Sequence, residues 1–214
     1  MMTQTHTLVA ATLFMKPERS IRQNTAILLG SLAPDAAVFG LFIWSKFAGI
    51  PERQLWREIY FTEPMLSFTA IGNSLPLYFL IFLIGVFWFK YANQNMHTDK
   101  TYSFQTLATS SAIGLFALAA ITHLIGDFPV HVADAHPHFW PITDWRFESV
   151  VSYWDRRHHG EIFRIFEAVA GVLLSIILFR RFRSKWIRAF TLIAIIAYAA
   201  VPAYFFFVLR GGAA

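Results

Sequence analysis

The sequence predicts an all-α, polytopic membrane helix bundle: about five spans, a short N-terminal helix, and a long histidine-rich external loop. Three observations carry this expectation. Hydrophobic residues make up 56% of the chain and charged residues only 14%, far from the roughly 25% charge of soluble domains. Mean hydropathy is +0.48, so the expected solvent is a bilayer. Basic residues gather at the ends of apolar runs. At 214 residues the length predicts a single integral membrane domain, 1–214.

Residues 7–15 are apolar but too short to cross a bilayer, which takes about 20 residues. Lys16-Pro17-Glu18-Arg19 ends the run, so the first segment reads as a partial, re-entrant or interfacial helix. Residues 26–50 are long enough to span, but Pro34 and Asp35 interrupt them. Proline removes a backbone donor and kinks or ends a helix. An ionised aspartate near the bilayer centre costs about 2.5–3.5 kcal/mol. A chain that keeps Asp35 there uses it or buries it inside the bundle. Residues 51–72 read as a mixed polar and aromatic loop with a short surface helix. Residues 73–91 form the clearest lipid-type span, and 92–103 a polar loop. A further span covers about 106–128, followed by the long loop 129–159. Spans at about 161–179 and 187–209 close the chain.

The formal charge is +5 and the pI near 9.7. The basic residues sit at span ends, so no nucleic-acid partner is expected. Lys16, Arg19 and Arg22 flank the first full span, Lys90 and Lys100 fall in the second short loop, and Arg180, Arg181, Arg183, Lys185 and Arg188 fill the last. In a five-span arrangement these segments share one side, which the positive-inside rule makes cytoplasmic. Segments 51–72 and 129–159 then face the periplasm or exterior. The chain is therefore expected in a membrane, with its basic segments on the cytoplasmic side. There is no cysteine, which removes disulfides, thiolate metal sites and a cysteine nucleophile. The N-terminus lacks a basic n-region and does not read as a cleaved signal peptide.

Six of the eight histidines fall between His123 and His159, with four of the six aspartates. His123 and Asp127 are four apart on a predicted helix and share a face. Imidazole and carboxylate so presented can grip a divalent cation; the bland alternative is a buried His–Asp hydrogen bond. His131 falls just beyond, past Pro129. Asp134, His136 and His138 alternate along a segment that Pro137 and Pro141 bias toward extended backbone, which lines up three candidate ligands; the alternative is a solvated loop. Phe139, Trp140, Trp145, Phe147, Tyr153 and Trp154 surround them, as an aromatic belt or as a pocket wall for an amphiphile. Asp155, Arg156, Arg157, His158 and His159 mark a loop-to-helix junction. Its arginines are candidates for holding a phosphate or for facing headgroups, and His159 is a candidate ligand. Glu167 is a candidate ligand, base or ion-pair partner.

These residues carry a resemblance. Thr5-His6, then an apolar stretch ending Gly30-Ser31-Leu32-Ala33-Pro34-Asp35, then His123-x-x-x-Asp127 resemble the predicted metal-dependent hydrolases of the bacterial inner membrane, the LexA-regulated, YdjM-like proteins. That family looks distantly similar to zinc-dependent phospholipase C. The resemblance lies mainly in 1–40 and 105–131 and implies metal roles for His6, Asp35, His123 and Asp127. It departs at Asn73, where the family's pattern expects a histidine.

The expectation is therefore a membrane-embedded hydrolase of an ester or phosphoester on a lipid or lipid-linked substrate. A divalent ion, zinc by expectation, would activate water. His6, Asp35, His123 and Asp127 would be ligands, completed by His131 and one of His136, His138 or His159. Asp134 or Asp155 would act as general base or orient a ligating histidine, and Arg156 or Arg157 would hold the anionic part of the substrate. The competing readings are a non-enzymatic divalent-metal binder or carrier, built on Asp35, Asp127 and Glu167, and a haem-binding bundle.

Overall fold

The computed structural model describes residues 1–95 and 104–204. Among these residues every regular element is a helix. In chain order they are α1 (Thr3–Phe14), α2 (Ile21–Leu32), α3 (Ala36–Phe47), the short α4 (Glu52–Gln54) running into a π-helical turn (Leu55–Ile59), α5 (Glu63–Gly72), α6 (Leu75–Asn95), α7 (Phe104–Asp127), a 3₁₀ turn (Arg156–His158), α8 (Gly160–Arg181) and α9 (Lys185–Tyr204).

Three stretches are long and apolar enough to cross a membrane: Glu63–Asn95, Thr106–Asp127 and Gly160–Arg181. The expected span over 26–50 is not one helix. Pro34 stops α2, and α3 leaves at 69°, so the pair is at most a broken span. The expected loop 51–72 is largely helical. Its α5 runs on toward α6 with only Asn73 and Ser74 between. The expected last span is helical over Lys185–Tyr204; its end at 205–209, like the loop portion 96–103 with Lys100, lies outside the described residues. Outward faces agree with a membrane protein: Phe79, Leu80, Ile84 and Phe87 on α6 and Ile162, Ile165, Phe166, Val169 and Leu173 on α8 are exposed. That is far more contiguous apolar surface than a soluble monomer shows.

The bundle has two chemically distinct ends. A capping box at Ser20 and Gln23 starts α2. Nearby, Arg22 reaches Thr109 at 2.5 Å and Gln23 reaches Ser111 at 2.6 Å on α7. At the far end the Ser31 carbonyl meets His123, so α2 and α7 run parallel. Likewise α1 runs parallel to α8: the Met2 amide donates to Glu167, and Arg181 donates to the carbonyls of Thr12 and Met15. Leu8, Ala11, Ile27, Ala119 and Leu178 fill the space between these four helices. Between lipid-embedded helices such packing works through close contact rather than water exclusion. Gly30 supplies the closest approach: a Cβ there would fall on the Phe116 carbonyl oxygen.

Residues 128–155 fold back over one end as a cap. Ser149 N–H donates to the His131 carbonyl at 2.8 Å and Tyr153 N–H to that of Val130 at 3.0 Å. The α5–α6 junction is stapled to the cap by Leu75 N–H to His138 O at 2.8 Å and Ser74 Oγ to Trp140 O at 2.5 Å.

Candidate metal centre

The last turns of α7 carry His123 and Asp127 on one face, as helical spacing requires. The last turn of α2 leaves carbonyls without intrahelical partners, and one of them, Ser31 O, lies 2.7 Å from His123 Nδ1. A carbonyl only accepts, so Nδ1 donates to it and Nε2 is turned toward the acidic residues. That Nε2 is buried and has no hydrogen-bond partner. It stands 3.1 Å from Asp127 Oδ2 and 3.6 Å from Asp35 Oδ1. Two carboxylates therefore face one imidazole nitrogen.

His6 comes from α1, 121 residues away in sequence from Asp127. Its ring stacks on His123 at 3.6 Å, with 6° between the planes, and its Nε2 lies 2.8 Å from Asp127 Oδ1. The same oxygen accepts from the Met1 amine at 2.7 Å and faces His131 Nε2 at 3.3 Å. Gly126 makes room: a Cβ there would lie 3.1 Å from His6 Cε1 and 2.7 Å from Met1 Cε. Glu167, buried in α8, accepts the Met2 amide at 2.7 Å and so fixes the start of α1 and the height of His6. Thr3 Oγ1 donates to Asp35 Oδ2 at 2.5 Å.

One ligand atom each from His6, His123 and Asp127 falls within 4.8 Å of the others, so the three could hold a metal ion, and all three are buried. The stacked imidazoles leave no space between them for a haem iron. Asp127 ends α7 and α2 ends nearby, which adds negative helix ends to the carboxylates, while α1 and α3 begin here and the Met1 amine pairs with Asp127.

His131 forms the outer wall. Its Nδ1 lies 3.1 Å from Asp134 Oδ2. Burial works against its charged form, but Asp127 and Asp134 outweigh burial and lift its pKa to about 9. Asp134, which burial alone would push up, is brought down to about 2 by His131 and Trp154. Trp154 Nε1 donates to Asp134 Oδ2 at 2.8 Å. Next comes His136, with its ring 5.5 Å from that of His131. Burial, then the neighbouring His131, drop its pKa to about 3, so it is a neutral donor–acceptor. His138 Nδ1 lies 3.1 Å from the Asn73 carbonyl and serves the α5–α6 staple. The extended alternation expected for 134–138 gives way to turns, with Ala135 N–H on Val132 O and His138 N–H on His136 O.

The structure thus gathers His6, His123 and Asp127, with Asp35 and His131 in contact and Asp134 behind His131. It does not bring Asp155, Arg156, Arg157 or His159 to them. Arg157 pairs with Asp155 at 2.9 Å and Arg156 with Glu161 at 3.1 Å, because the 3₁₀ turn puts these chain neighbours side by side. His159 is exposed at the N-cap of α8, with φ at 61°. Residue-by-residue reading missed Thr3, Ser31 and Gly126. Of these only Gly126, a glycine between two candidate ligands on one helix, left a sequence signal.

No family model, no curated protein and no solved structure matches this chain.

Proposed function

We propose that the chain is a membrane-embedded, metal-dependent hydrolase of a phosphoester or ester on a lipid or lipid-linked substrate, as its resemblance to the YdjM-like proteins implies. The carrying observation is the buried His123 Nε2, without a hydrogen-bond partner and facing the carboxylates of Asp127 and Asp35. Two carboxylates converging on buried imidazole nitrogens call for a shared cation. Two imidazoles with one or two carboxylates suit a borderline ion, and zinc is the proposed one. When bound, it would supply Lewis acidity, polarising the scissile group and acidifying water.

The chain's own residues do the rest. Ser31 fixes the His123 tautomer, Asp134 orients His131 toward the centre, and Glu167 and Gly126 seat His6. A carboxylate behind a ligating histidine both orients the ring and raises its basicity. The proposed topology follows the basic end of the bundle, with Lys16, Arg19, Arg22, Arg181 and Arg188 cytoplasmic and the cap periplasmic, in a bacterial cytoplasmic membrane.

The test is metal content by mass spectrometry of detergent-purified protein, with turnover of a chromogenic phosphodiester and a short-chain phospholipid. Wild type should carry at least one divalent ion and turn over. His123→Ala should lose the ion and slow turnover about 100-fold or more. Equal metal in both proteins would end the assignment. Bound metal without turnover would favour the non-enzymatic carrier.

A further inference from the structure

Asp35 is the least buried member of the metal cluster. Its side chain is 24% exposed, against 0% for His123, 1% for His6 and 4% for Asp127. On the cap side His131, His136 and His138 are all buried. The site therefore opens at Asp35, and Asp35 is the residue from which α3 starts.

Helix α3 has two unlike faces. Val38, Leu41 and Phe42 pack against Leu55, Ile59 and Tyr60. The far side of that layer is polar, with Glu52, Arg53, Arg57 and Glu58 exposed. The opposite face of α3 presents Ala36, Phe39, Gly40, Ile43, Trp44 and Phe47, all exposed. Their spacing puts them in one stripe, and no residue from 36 to 44 is polar. A methyl added at Gly40 would meet nothing within 4 Å, so no described residue covers the middle of the stripe. The stripe continues the exposed Leu29 and Leu32 of α2, which packs along the membrane-length α7. There α3 turns away at 69°, so it lies nearer to the membrane plane than to the line of the spans. Lys46 closes the helix and pairs with Glu52 at 3.5 Å, both exposed. A helix with a charged layer above and a bare apolar stripe below lies along a membrane interface, stripe inward. Continuity with the outward face of α2 selects lipid as what covers it.

We propose that the bare stripe of α3 lies in the bilayer leaflet at the capped end and guides the acyl chains of a phospholipid sideways to the opening at Asp35. The substrate then enters from the membrane rather than through the cap. The chemistry done on it rests on the hydrolase reading above; the lipid contact does not.

The chain has no cysteine, so single cysteines can be spin-labelled without background. Phe39→Cys, Ile43→Cys and Phe47→Cys, with Arg53→Cys as the polar reference, are read in phosphatidylcholine–phosphatidylglycerol vesicles by collision with oxygen and with a water-soluble nickel chelate. The three stripe labels should meet oxygen and not nickel, and the label at 53 the reverse. With α3 at 69° to α2, labels at 39 and 47 should differ in depth by about 4 Å, against about 12 Å were α3 to continue the line of α2. In a second arm, Phe39→Asn with Ile43→Asn is compared with Phe39→Leu with Ile43→Leu. The readout is turnover of vesicle phospholipid divided by turnover of a soluble chromogenic phosphodiester. The asparagine pair should lower this ratio about tenfold or more and the leucine pair should leave it near wild type, with metal content and thermal midpoint held in both. Nickel contact along the stripe, shielding from both reagents as a second copy packed there would give, or the depth difference of a continuous span would each overturn the proposal. So would an unchanged ratio in the asparagine pair. Lipid contact at the stripe with no turnover of either substrate by wild type would keep the lipid surface and remove the hydrolase. Turnover with the stripe in water would do the reverse.

Discussion

The two ends of the bundle handle charge in opposite ways. At the basic end, cations meet helix carbonyls singly: Arg181 donates to Thr12 O and Met15 O at 2.6 and 3.1 Å, Arg188 to Phe182 O at 3.0 Å, and Arg19 to Phe14 O. Each contact caps the C-terminus of α1 or α8 with charge of the favoured sign. Each is partly solvated and separable from the others. At the capped end, Asp127 sits at the C-terminus of α7, against the dipole, and is buried. There no group is separable: Asp127 is touched by His6, His123, His131 and the Met1 amine. The difference teaches that the basic end is an anchor built from additive terms, whereas the capped end balances only as a unit.

Substitutions can break that contrast. The largest effect is expected from Asp127→Asn, which leaves three imidazoles without their shared anion. Metal content should fall about 100-fold or more, and removing one partner of a buried charge cluster should cost about 3–5 kcal/mol, read as a lower thermal midpoint. Chelation of wild type should reproduce part of that shift, because an ion bound only by the folded state stabilises it. Asp134→Asn comes next. It keeps the shape but weakens the hold on His131, and metal affinity measured by competition with a chromogenic chelator should drop about 10–100-fold. Gly126→Ala should cost about tenfold in the same assay, since ligand geometry tolerates little displacement and the new methyl meets His6 at 3.1 Å. Gly40→Ala, with nothing within 4 Å of the added methyl, should leave metal affinity unchanged. Smallest is Arg181→Ala, at about 0.3–1 kcal/mol in thermal or denaturant unfolding, with metal content unchanged. A metal loss there would show that the ends are coupled and sink the contrast.

Much of the bundle was legible because a helix is a local object. The apolar runs at 73–91, 106–128 and 161–179 matched helices, since length and hydropathy suffice for them. The run at 26–50 misled because its hydropathy is continuous while its backbone is not. Pro34 stops α2 and the chain turns by 69°, which places Asp35 beside His123. The segment 51–72 misled in the other direction, since interspersed charges hid α5. For the site, His123 and Asp127 followed from spacing on one helix. His6 and Asp35 rested on the resemblance, because no periodicity links residues on different helices. Asn73, expected to leave a gap among the ligands, instead stitches the cap down through its carbonyl on His138. The abundance of charge at 155–159 pointed to an anion site, but acids two and five residues away take up those arginines.

By itself the sequence determined a helical, membrane-type chain, with apolar helices at 73–91, 106–128 and 161–179 among the five spans it predicted, and a histidine–aspartate pair one turn apart. Composition and helical period act over short stretches and need no partner. Only the tertiary structure decided that His6 stacks on His123, that a carbonyl of α2 holds the Nδ1 of His123, and that Asp35 is brought beside its Nε2. Those outcomes depend on how closely helices approach, at Gly30 and Gly126, and on which neighbours consume each charge first. Both are properties of packing, and no window of sequence contains them.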